Sequence, residues 1–177
     1  MSDSKNSLIQ RSLVLFKPDA VQRGVVGEIL SRFERVGLKI VGTKMFHPDR
    51  GHYYKHYEDI GKMITRRGEK IFNDTLDYMN QGPVIAMVFE GVEAVSVIRK
   101  IVGTTEPKVA AAGTIRGDYS HLSIEYGNSV NAAIPNLIHA SGDPEEAKLE
   151  IAHWFKENEL FDYTTLSEKF TFAKYGD

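Results

Sequence analysis

Apolar and polar positions along this chain fall into two rhythms, one close to a period of two and one close to 3.6. Leu13-Val14-Leu15-Phe16 is a short continuous apolar run ending at Lys17-Pro18-Asp19. That is the pattern of a strand covered on both faces, with proline as its stop. Val26, Ile29, Leu30 and Phe33 then recur at i, i+3, i+4 and i+7, with Gly37 just past the end, which predicts an amphipathic helix. A second strand is expected over 39–46, centred on Ile40 and Val41, and a third over 83–89 (PVIAMVF). Between them, residues 49–80 read as helix in two pieces, broken around Gly61 to Gly68. Val95, Ile98 and Val102 mark a further helix closed by Gly103, and 104–136, rich in Gly, Ala, Ser and Asn, reads mostly as loop. Leu137-Ile138-His139 is a short strand. Asp143-Pro144-Glu145-Glu146 is a helix start, with Asp at the N-cap, Pro at the first helical position and Glu at the third.

The resulting order is strand, helix, strand, helices, strand, helix, strand, helix. It suits an α+β fold of ferredoxin-like βαββαβ type, a split β-α-β antiparallel sheet with helices on one face, followed by a C-terminal helix and tail. A small doubly wound sheet fits the same element count. With 177 residues, one domain over 1–177 is expected, residues 1–10 forming a short polar lead. A net charge of −2 with both signs mixed along the chain gives no global field for nucleic acid or an anionic membrane, so any anion site must be local. The absence of cysteine excludes thiolate chemistry, disulfides and Cys-based zinc sites. No apolar run approaches membrane-spanning length, and the N-terminus has no signal-like apolar core, so a cytoplasmic protein is expected.

The chemistry must come from a few positions. Neither a Walker-type loop nor the protein-kinase glycine set is present. Gly113-Thr114-Ile115-Arg116-Gly117-Asp118 sets an arginine between glycines, either as a surface turn or as donors gathered around an anion. Glu150 lies within the apolar stripe Ala147, Ile151, Trp154 and Phe155. A carboxylate there needs a partner, unless it lies at the helix edge and reaches solvent. His139, on the strand leading into that helix, can be that partner, with one ring nitrogen held by the acid and the other free as a nucleophile. Arg99 sits in the stripe Val95, Ile98, Val102, a position a snorkelling arginine can also occupy. His52 and His56 have the i, i+4 spacing of a helical metal pair, but no third ligand follows, so no metal site is expected and both read as solvated. Tyr53, Tyr54, Tyr57 and Tyr78 lack an accompanying basic face and read as mixed core and surface packing rather than a nucleic-acid platform.

Taken together, Phe16-Lys17-Pro18-Asp19 with Gln22-Arg23-Gly24, Gly27-Glu28-Ile29, Gly82-Pro83-Val84, the Gly113–Asp118 loop and Asn136-Leu137-Ile138-His139-Ala140-Ser141 resemble nucleoside diphosphate kinase, in that family's order and over most of 11–163. The resemblance implies a ping-pong exchange of the γ-phosphoryl group between nucleoside triphosphates such as ATP and nucleoside diphosphates. Mg²⁺ would be held mainly by the nucleotide, and the assembly would be a homo-oligomer, hexamer or tetramer. By position it implies His139 as the phosphorylated nucleophile, Glu150 as the acid holding its imidazole and Ser141 beside that pair. Lys17, Tyr57, Arg99, Thr105, Arg116 and Asn136 would grip phosphates and sugar. The chain departs from the family pattern by about six extra residues near 62–70 and about ten near 120–132, and has Ala112 where the family has proline. The first insertion leaves two positions, Ile71 and Phe72, for the residue that stacks on the base.

Overall fold

The computed structural model describes residues 8–171. The chain runs through β1 (Ile9–Phe16), α1 (Pro18–Gln22), α2 (Val26–Glu34), β2 (Lys39–Phe46) and α3 (Arg50–Tyr54). A π-helical turn over Lys55–Ile60 follows. Next come α4 (Met63–Arg67), α5 (Glu69–Met79), β3 (Val84–Val92), α6 (Ala94–Val102), α7 (Ile115–Tyr119) and α8 (Ile124–Ser129). The chain then enters β4 (Ile138–Ala140), α9 (Pro144–Trp154) and α10 (Glu168–Thr171).

The strands form one sheet in the order β2-β3-β1-β4, and every neighbouring pair is antiparallel. A doubly wound sheet would be parallel, so the ferredoxin-like alternative is the one adopted. Helices cover both faces rather than one. Along β1, Leu13 and Leu15 enter a core with Leu76, Ile151 and Trp154, while Val14 and Phe16 enter another with Ile29, Phe33 and Ile98. Successive strand side chains point to opposite faces, so the unbroken run Leu13–Phe16 requires a cover on each side. The faces are built by α3, α5 and α9 on one side and by α2 and α6 on the other.

Local sequence sets most boundaries. β1 ends at Phe16, just before Pro18, as expected. Pro18 takes the first position of α1, where its missing N–H is no loss. Asp143 caps α9 by accepting from Glu145 and Glu146 N–H at 2.9 and 2.8 Å. The stretch 104–136 is less loop-like than its composition predicts, since a turn of 3₁₀ helix at Pro107–Val109, α7 and α8 lie within it. Thr114 caps α7 through Gly117 N–H, and Ser123 caps α8 through Tyr126 N–H. These helices are too short to leave a 3.6-residue apolar period; only their caps announce them. The break between the two helical pieces of 49–80 likewise holds its own short helix, α4. No helix among the described residues is long and apolar enough to cross a membrane.

Candidate active site

At the end of β1, Lys17 is brought beside β4, which pairs with β1 so that His139 lies opposite Leu15. The chain reaches β4 through a tight turn at Leu137. Ile138 N–H donates to the Asn136 carbonyl at 2.8 Å, and Leu137 has φ +67°. This is the strained hand of the γ-turn, adopted by a residue with a side chain at a cost of about 1–3 kcal/mol. Burial of Leu137 in the core offsets that strain.

His139 Nε2 lies 2.8 Å from Glu150 Oε1, and Glu150 Oε2 accepts from Ser141 Oγ at 2.6 Å. Ser141 Oγ in turn accepts from Leu13 N–H at 3.1 Å. Glu150 is 1% exposed, which removes the alternative of a helix-edge residue reaching solvent. Burial pushes its acid upward, but the charge and hydrogen bond of His139, with His56 and Ser141, prevail and hold it at about 2. A permanent carboxylate at Oε1 places the His139 proton on Nε2 and leaves the Nδ1 lone pair free.

Three cations, Lys17, Arg99 and Arg116, share the cavity with this pair. Lys17 Nζ donates to Asn136 Oδ1 at 2.6 Å and is nearly buried. Desolvation, then the Arg116 guanidinium, pull its pKa down to about 7, against a smaller opposing effect of Asp19. Arg116 is also buried and belongs to α7, not to a solvated surface turn. Its guanidinium donates to the carbonyls of Gly103, Ile138 and Asn136 at 2.9, 2.6 and 3.3 Å. Carbonyls satisfy its hydrogen bonds without cancelling its charge, and even with burial holding its pKa near 10 it stays cationic. Arg99 adds a third positive charge and has no carboxylate partner among the described residues.

Lys17, Tyr57, Arg99, Thr105, Arg116, Asn136, His139, Glu150 and Ile71 line one cavity of about 650 Å³. Two expected residues do not. Ser141 stands behind Glu150, fully buried. Phe72 packs in the core, edge-on to Tyr54, because the register of α5 turns it toward the sheet while Ile71, 42% exposed, faces outward. Of the two base-stacking candidates, Ile71 is thus the one at the cavity.

His56 is the residue that sequence spacing misjudged. It is 1% exposed rather than solvated, because the π-helical turn at Lys55–Ile60 sends His56 and Tyr57 inward together. Its Nδ1 accepts from Trp154 Nε1–H at 3.1 Å, and its ring meets His139 edge-to-face at 4.6 Å. Burial, then the proximity of His139, push its pKa well below the ordinary histidine value, so it is a neutral wall beside His139. His56, His139 and Glu150 have donor atoms within 4.8 Å of one another, yet Trp154 already occupies His56 Nδ1, and His139 and Glu150 bind each other. The Tyr57 hydroxyl, also on the cavity, is buried without a partner. His52, half-buried, stacks on His153 at 3.9 Å away from the cavity.

The profile of the nucleoside diphosphate kinase family matches residues 10–160. The chain belongs to this family. It is 46% identical over 158 residues to the nucleoside diphosphate kinase of Borreliella burgdorferi, covering 88% of this chain and 93% of that one. To that of Pyrococcus furiosus it is 47% identical over 162 residues, 92% of each chain. Among solved structures, the Borrelia burgdorferi kinase, a transition-state mimic with bound vanadate and ADP, superposes with TM-score 0.90. Identity there is 43%, with 93% of this chain and 98% of that one covered. The Halobacterium salinarum kinase in complex with CDP matches with TM-score 0.78 at 35% identity, covering 92% and 97%. As a family member, the chain is a phosphotransferase that passes the γ-phosphoryl group of a nucleoside triphosphate to a nucleoside diphosphate.

Proposed function

We propose that His139 is the phosphoryl carrier of this exchange, and that Lys17, Arg99 and Arg116 hold the polyphosphate in line with it. The observation that supports this most directly is the 2.8 Å pair of His139 Nε2 and Glu150 Oε1, on a cavity that Lys17, Arg99 and Arg116 also line. The Nδ1 lone pair attacks the γ-phosphorus, an N–P bond forms, and the bond from phosphorus to the β,γ-bridging oxygen breaks with its electrons going to the leaving diphosphate. Glu150 stabilises the imidazolium-like ring this creates. Lys17, Arg99 and Arg116 offset charge on the equatorial oxygens and the leaving group, which is most of what phosphoryl transfer asks of a protein. The Tyr57 hydroxyl and Asn136 supply neutral contacts to phosphate and sugar. A second nucleoside diphosphate reverses the path through the same site.

The donor set fits a magnesium ion that arrives on the nucleotide. Of the carboxylates lining the cavity, Glu150 holds His139, Asp143 caps α9, Glu146 accepts from Gly142 N–H and Asp74 pairs with Lys70. None is left to build a cage, so Mg²⁺ held by phosphate oxygens, partly neutralising them, is the form the site accommodates. Met63, Ile71, Ile124 and Ile134 are apolar residues lining the cavity. We read these as a nucleobase clamp formed partly by the segments near 62–70 and 120–132. An aliphatic clamp makes no base-specific hydrogen bonds, so selectivity among bases should be low. We also propose a homo-oligomer, hexamer or tetramer, and a cytoplasmic location.

The test is mass spectrometry of the protein mixed with ATP and Mg²⁺. A gain of about 80 Da, one phosphoryl unit, should map to His139, be acid-labile, and vanish in His139→Ala together with exchange. Label on another residue, or a variant retaining more than about a tenth of parental turnover, would reject the assignment.

A further inference from the structure

Asp19 does not line the cavity, and its carboxylate bears on how the nucleophile strand is presented. Its Oδ2 accepts from Leu137 N–H at 3.1 Å. Its other oxygen accepts from the Tyr78 hydroxyl. Leu137 is the residue in the strained γ-turn, at φ +67°. Its carbonyl is held in turn by Lys17 N–H at 2.9 Å. Both polar groups of the strained peptide unit are therefore fixed by residues 17–19, at the junction of β1 and α1.

The turn sets two functional side chains at once. Asn136, immediately before it, accepts from Lys17 Nζ and donates to the Thr105 carbonyl at 2.9 Å. His139 follows it on β4. The flanking carbonyls of Asn136 and Ile138 both accept from Arg116. Lys17 and Arg116 hold the turn and face the cavity; Asp19 holds the turn but does not line the cavity. A strained turn keeps its shape only while its surroundings over-determine it, and removing the charged acceptor of a half-buried N–H leaves that donor unsatisfied.

We infer that Asp19 is a positioning residue for phosphoryl transfer, its carboxylate clamping the γ-turn at Leu137 so that Asn136 and His139 meet the phosphate in register. It touches neither nucleotide nor phosphorus. It acts through the turn, and secondarily through the charge it presents to Lys17. That second effect gives a signature that loss of fold alone would not produce. Asp19 partly opposes the depression of the Lys17 pKa, so removing its charge lowers that pKa further and moves the alkaline limb of kcat/KM to lower pH.

The inference rests on His139 being the carrier, and the parent protein, showing phosphohistidine in the same experiment, separates failure of that assignment from failure of this one. Asp19→Asn keeps size and shape but supplies only one acceptor oxygen, and Asp19→Ala supplies none. Expected are nucleotide affinity near parental, phosphorylation by ATP slowed about 10- to 100-fold in the alanine variant and less in the asparagine variant, and an alkaline limb displaced downward in both. If the alanine variant does not fold, the asparagine variant carries the test through the same rate and pH profile. A folded variant that phosphorylates within about threefold of the parent with an unmoved alkaline limb would overturn the inference. So would a rate loss that only tracks a fall in melting temperature, with the pH profile unchanged.

Discussion

Glu150→Gln isolates the charge beneath the nucleophile while keeping the size of the side chain. In the parent, Oε1 faces His139 Nε2 at 2.8 Å and Oε2 accepts from Ser141 at 2.6 Å. Despite burial that would raise it, the acid is pulled from 4.5 to about 2, chiefly by His139. At 1.36 kcal/mol per pH unit this sets the scale of the interaction at about 3 kcal/mol. Glutamine can still accept from Nε2–H, so the loss is that of a charge-assisted bond becoming neutral, about 1.5–3 kcal/mol. Phosphorylation should slow by about 10- to 160-fold. Trp154, the one tryptophan of the chain, packs edge-on to His56 at 5.4 Å, two rings from the reacting nitrogen. Its fluorescence after rapid mixing with ATP can report the step. Nucleotide affinity, titrated with ADP, should stay within about threefold. The parent should also show an acid-sensitive stability component, complete above pH 4.5 and lost as pH falls toward about 2, because a depressed acid stabilises the fold only while ionised. The variant should lack it. A phosphorylation rate within about twofold of the parent, in a folded variant, would remove the carboxylate from the mechanism.

Three further outcomes follow from the site. Lys17 works as a cation and its pKa lies near 7 in the free protein, so kcat/KM should fall above neutral pH, while kcat, with phosphates bound beside the amine, should hold to higher pH; a kcat/KM profile flat to about pH 9 would contradict this. Arg116→Ala orphans the carbonyls of Gly103, Asn136 and Ile138, so calorimetry should find about 2–4 kcal/mol of lost stability, or a melting point about 4–16 °C lower. An unchanged melting point would mean the guanidinium does not hold the turn. Ile71→Ala should raise KM for every nucleoside diphosphate by a similar factor of about 3–10, whereas a rise confined to one base would refute an aliphatic, base-blind clamp.

Much of this protein is written in local patterns. The continuous run Leu13–Phe16, the helical period of Val26 to Phe33 and the cap Asp143-Pro144 fix their elements because backbone hydrogen bonding and steric preference act within a few residues. Glu150 could be picked out for the same reason, since a carboxylate inside an apolar helical stripe must find a partner, and His139 lay on the strand entering that helix. What no local pattern contains is which element lies across from which. Sheet order comes from pairing between strands far apart in the chain, and whether Ile71 or Phe72 faces the cavity depends on how α5 turns against the sheet. His56 becomes a buried neutral wall only because a π-helical turn and Trp154 meet there. The charge state of Lys17 was equally beyond the sequence: an ordinary lysine becomes an amine with pKa near 7 only when the fold removes its water and sets Arg116 beside it. Desolvation and charge–charge coupling depend on distances between residues far apart in the chain. They exist only once β1, α7 and β4 have come together.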